Sequence, residues 1–144
     1  MVALVVAVDT TLSTADDRMK LYVNGVQETS FATRTNPSQN QDFPVNSSSA
    51  TMYIGRQASS SAAFFNGYMS HVSFVDGQAL APTVFGSTDS TSGIWKFKAP
   101  SGVTWGTNGF HLKFENSGAM GTDSSGNTNT FTVNGNLKQA LDTP

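Results

Sequence analysis

The chain has 144 residues, 38% of them hydrophobic and only 12% charged, with a formal net charge of −2. That length fits one domain, and charge so far below the roughly 25% usual in soluble proteins points away from helical surfaces, which draw on Glu, Lys and Arg. The eight Lys and Arg are scattered and there is no cysteine, which argues against nucleic-acid binding by phosphate neutralisation, a disulfide framework or a thiolate metal site.

The opening run MVALVVAV is apolar until Asp9. It is too short to span a bilayer and lacks the basic lead of a signal peptide. Its β-branched Val5, Val6 and Val8 predict a buried strand. In RMKLYVNGVQETS, Met19, Leu21 and Val23 alternate with Arg18, Lys20 and Tyr22, and Asn24-Gly25 follows. An Asn-Gly pair suits a type I′ turn, so this segment predicts a hairpin that pairs Val23 with Val26. Asp16-Asp17-Arg18 reads as charge at the strand entry.

Residues 31–50 predict a long surface loop, MYIG (52–55) a short strand, and ASSSA (58–62) a second polar loop. FFNGYMSHVSFVD (64–76) predicts a strand pair. Val72 and Phe74 share one face, whereas Met69 has the opposite parity, which calls for two covered faces or a bulge. QALAPTVF (78–85) fits one helical or 3₁₀ turn, limited by Pro82. IWKFK (94–98), FHLKFE (110–115) and TFTVNG (130–135) then predict strands with one wet face each. Seven or eight strands and no useful helical stretch give an all-β fold, an antiparallel β-sandwich over residues 1–136, with 137–144 as a tail or linker.

The run VVAVDTTLSTADDRMKLYVNGVQ, then MYIGR, then FFNGYMSHVSFVDGQAL resembles the later half of a laminin-G-like, concanavalin A-like jelly roll. The likeness is greatest to versions in tail and fibre-like virion proteins of bacteriophages, and it spans about residues 5–85. GFHLKFENSGAMGTDSSGNTNTFTVNG resembles the opening of such domains, but here it follows the later half. The resemblance therefore implies a permuted sandwich or a tandem array cut mid-repeat. The start also lacks the Trp-His-rich lead-in of these domains, which leaves open a fragment or a core that a neighbouring subunit completes. What the resemblance implies for function is a virion module that binds cell-surface carbohydrate or packs against other virion proteins, assembled as a homo-oligomer, with trimers expected for a fibre.

Candidate site residues cluster late in the chain. Asp123-Ser124-Ser125-Gly126-Asn127 supplies hard oxygens that suit calcium, with Asp123 and Asn127 as ligands; the alternative is an Asx-turn in which Asp123 accepts from the amide two residues on and Gly126 has positive φ. Trp105, Asn108, Asp123, Asn127 and Asn129 form the candidate ligand rim, and Trp95, Tyr53 and Tyr68 are further aromatics that suit stacking on a sugar ring. His71 and His111 read as isolated strand residues without zinc-pair spacing. Glu28 and Glu115, the two glutamates, lie far apart, so the paired carboxylates of a glycosidase are not evident and no enzyme is expected.

Overall fold

The computed structural model describes residues 2–43, 45, 51–57, 59 and 63–140. The expected loop at 31–50 therefore lies partly, and ASSSA and the end of the tail largely, outside the described residues. Among those described, the chain is rich in strands and has no α-helix, only two 3₁₀ turns at Ala15–Asp17 and Pro82–Val84. The strands form one three-stranded and two two-stranded sheets. The chain, expected to form one domain over 1–136, divides by its internal contacts into two compact units: Met1–Asp42 with Gly77–Thr104, and Phe43–Asp76 with Trp105–Thr143.

In the first unit, β1 (Leu4–Val8), β2 (Met19–Val23) and β3 (Val26–Glu28) form an antiparallel sheet in that order. The hairpin forms where turn chemistry places it. Val23 faces Val26, and Asn24 and Gly25 take φ of 50° and 79°. Asn24 extends the ladder, since its N–H donates to the Ala3 carbonyl (2.8 Å) and its Oδ1 accepts from the Ala3 N–H (2.9 Å). The indole of Trp95 lies over Gly25 and Gly86, where a Cβ would overlap the ring. Only glycine permits both the turn conformation and that approach. Arg18 ties the polar loops down by donating to the carbonyls of Leu12, Ser13 and Pro37. Arg34 reaches Asp16 O (2.6 Å) and Met19 O (2.8 Å). β5 (Gly86–Thr88) and β6 (Trp95–Phe97) make a second hairpin, with Trp95 and Phe97 half-buried and Lys96 exposed, as their alternation predicts.

The opening strand departs from expectation. β1 forms, but only its odd positions are half-buried; Leu4, Val6 and Val8 are exposed. A continuous apolar run marks a strand able to bury both faces, and here only the face carrying Val5 and Ala7 is partly covered.

The second unit holds β4 (Val72–Phe74) and β7 (Phe110–Leu112), paired antiparallel with Phe74 opposite Phe110. Its core is Phe110, Leu112 and Met120, with Leu112 only 2% exposed. Phe110 meets Phe74 at 5.9 Å and the edge of Phe131 at 4.8 Å between ring centres. β7 has no wet face: Phe110, His111 and Leu112 are all buried, with Phe74 and Phe131 packed on Phe110, Trp105 and His71 on His111, and Asp123 bridging Leu112 along the edge away from β4. Three predicted strands do not form: of the pair expected in 64–76 only β4 does, Phe64 keeping a single bridge, and the other two are MYIG and TFTVNG. MYIG ends in Gly55 at φ 78°, and the pairing beyond it is a single bridge of Arg56 to Phe64. TFTVNG follows Thr128 at φ 62° and makes one ladder-like bond, from the Phe131 N–H to the Gly121 carbonyl (2.8 Å). Alternation describes which face is apolar; it does not supply a partner edge. His71, at φ 54°, breaks the chain just before β4 and accounts for the parity change at Met69.

Candidate functional site

The second unit gathers every residue of the expected rim. Trp105 and Asn108 lie in the turn before β7, while Asp123, Asn127 and Asn129 lie in the loop after it. Asp123 sits at the centre, buried. Its Oδ1 accepts the backbone N–H of His111 (2.9 Å) and of Ser125 (2.8 Å); its Oδ2 accepts the Ser125 hydroxyl (2.8 Å) and the Asn129 N–H (2.9 Å). With Gly126 at φ 98°, this is the Asx-turn, extended across β7. Burial alone would raise the Asp123 carboxyl, but the donors from His111, Ser125 and Asn129 outweigh it and hold its pKa below the ordinary carboxylate value.

The two asparagines turn back toward the protein. Asn127 Nδ2 donates to the carbonyls of Gly106 and Gly109, and Asn129 Nδ2 to those of Thr107 (3.0 Å) and Gly109 (2.9 Å). Asn108 points away from them. Its N–H and Nδ2 reach Asp76 Oδ2 at 3.1 and 3.0 Å, while the Asp76 N–H donates to the Trp105 carbonyl (2.9 Å). Two loops distant in sequence are thus clasped by carboxylate and amide groups. Both Asp123 oxygens and the side-chain amide nitrogens of Asn108, Asn127 and Asn129 are thus engaged within the chain.

Trp105 stacks on the His111 ring at 5.5 Å with an 18° interplanar angle. His111, only 4% exposed, also faces His71: His71 Nδ1 and His111 Nε2 stand 3.2 Å apart. One ring must donate and the other accept, which requires both to be neutral, or to share a single extra proton. Burial lowers both pKa values; His71 lowers that of His111 further and Lys113 adds to it for each, against opposing pulls from Glu115 and, for His111, Asp123. No local spacing links the two histidines in the sequence. They stand 40 positions apart, and only the pairing of Ser73 with His111 across β4 and β7 brings them together.

The remaining aromatics divide. Trp95 covers Gly25 and Gly86 in the first unit, Tyr53 carries the Arg56 guanidinium 4.6 Å from its ring centre, and Tyr68 is 90% exposed. An open cleft of about 250 Å³ is lined by Met52, Phe110, Asn129, Thr130 and Phe131, below the roughly 300–1,000 Å³ of small-molecule pockets. Among the described residues no three His, Cys, Asp or Glu come together as metal ligands would, and no helix is long and apolar enough to cross a membrane. No protein-family model, curated protein or solved structure matches the chain.

Proposed function

We propose that this chain is a non-catalytic, strand-rich virion module whose work is protein–protein contact. The observation that carries the reading is the direction of the rim's polar groups. Asp123, Asn127 and Asn129 bind the chain's own backbone, whereas apolar side chains such as Phe64, Phe65 and Tyr68 remain exposed. A carbohydrate site needs free donors and acceptors around its aromatic platform; a protein interface needs apolar surface on a rigid frame. The virion setting rests on the resemblance of residues 5–85 to laminin-G-like jelly rolls. A permuted sandwich gains support from β7, which comes from the last third of the chain and pairs with β4 from the earlier region.

Adhesion to host-surface carbohydrate is the second reading, carried by Tyr68 and by the Tyr53–Arg56 pair. A glycan-array screen of the purified chain, with and without a calcium chelator, separates the two. Silence on every glycan is the expected result. Reproducible binding overturns the contact reading in favour of adhesion, and loss of that binding on chelation adds a calcium-supported site.

A further inference from the structure

The three-stranded sheet of the first unit carries one almost purely apolar face. Directly opposed residues of an antiparallel pair share a face, and the register sets Leu4 against Val23, Val6 against Leu21, Val8 against Met19, Val23 against Val26, and Leu21 against Glu28. Eight positions follow from this pairing: Leu4, Val6 and Val8 on β1, Met19, Leu21 and Val23 on β2, and Val26 and Glu28 on β3. Glu28, at the outer edge, is the sole charge among them. None of the eight is buried; Leu4 is 66% exposed, Val6 59% and Val26 72%.

The exposed part of this face, with Val2 alongside, amounts to roughly 500 Å², at the upper end of the largest patch on a typical monomer. Doubled across a two-fold axis it comes to roughly 1,000 Å², the floor for a specific interface.

We infer that this face is an interface with a second copy of the same chain, the two sheets stacking face to face about a two-fold axis. A partner of different chemistry would be selected by charges or hydrogen-bonding groups, and the face offers one carboxylate at its edge. A second copy brings an identical flat apolar surface of matching size, which an isologous contact requires. Aligned stacking of twisted sheets buries such faces about 10 Å apart. The inference rests on the contact reading above and adds the partner; its failure leaves contacts with other proteins standing, and those are judged by the glycan screen instead.

Sedimentation equilibrium of the full chain at micromolar concentration tests it. Wild type is expected to sediment as a dimer or a multiple of one. Val26→Glu, at a site already exposed and beside the turn, is expected to weaken association at least about tenfold while Trp95 emission stays unchanged. Val6→Glu should do the same, and if it unfolds, Val26→Glu decides. Gln27→Glu, on the opposite face, is expected to leave association intact. A monomeric wild type overturns the inference, and so does a Val26→Glu variant that dimerises as tightly as wild type.

Discussion

Asp123→Ala removes four hydrogen bonds at once, and their surroundings set the cost. The His111 N–H that donates to Oδ1 is on a buried strand; left unmet, it costs about 1–3 kcal/mol. Ser125 and Asn129 lie in a partly exposed loop, where water replaces the carboxylate, so each of their bonds is worth about 0.5–1 kcal/mol. The sum for the second unit is about 2.5–6 kcal/mol. In a unit of this size each kcal/mol moves Tm by about 4–8 °C, so a drop of at least about 10 °C follows. The assay is thermal and urea unfolding followed by Trp105 emission in a Trp95→Phe background, which confines the signal to the second unit. Asp123→Asn should fall between, since one acceptor oxygen survives. A loss below about 1 kcal/mol for Asp123→Ala would refute the argument that this carboxylate holds the two loops together.

Acid should loosen the same unit before its carboxylates titrate. Both histidine pKa values are lowered on folding, so the unfolded chain binds protons first and stability declines as pH falls below the ordinary histidine value of 6.5. Urea midpoints between pH 7.5 and 5 check this, and a His71→Gln variant should show a flatter profile. In the first unit, Asp89 accepts from Lys96 Nζ at 2.6 Å and from the amides and hydroxyl of its own turn, and its pKa is lowered to about 2. Its contribution to the β5–β6 hairpin is therefore present above pH 3.8 and lost as pH falls through about 2. An NMR titration should find that midpoint, and Lys96→Met should raise it. Gly25→Ala meets both a φ of 79° and the Trp95 ring. It should destabilise the first unit by about 2 kcal/mol or more, with a change in Trp95 emission.

How much of this was legible follows from the range of each interaction. Asn24-Gly25 and Asp123-Ser125-Gly126 declare themselves because their bonds span two to four residues and demand particular backbone angles. The alternation of Trp95 and Phe97 with Lys96 likewise reads correctly, as one strand against its own hairpin neighbour. The clasp is another matter. Asn129 reaches carbonyls 20 and 22 positions away, and His71 meets His111 across 40; no local pattern encodes those distances. His111 is the mixed case: its place between Phe110 and Leu112 predicts a solvent-facing or cross-strand ring, and the ring does meet His71 across the strand pair, but with Trp105 stacked on it as well it is buried. The amide-rich loop suggested outward contacts for a related reason. Asparagine looks the same in sequence whether its amide meets a ligand or a distant carbonyl.

Each compact unit is assembled from two stretches that the other interrupts. A nascent chain leaving the ribosome therefore holds the three-stranded sheet long before Trp95 arrives to cover its turn, and it must make the whole excursion over residues 43–76 in between. That closure carries an entropic cost that grows only slowly with length, so the order of synthesis delays the first unit more than it weakens it. Cutting between residues 76 and 77 would sever both units together, leaving neither half with all the segments it needs.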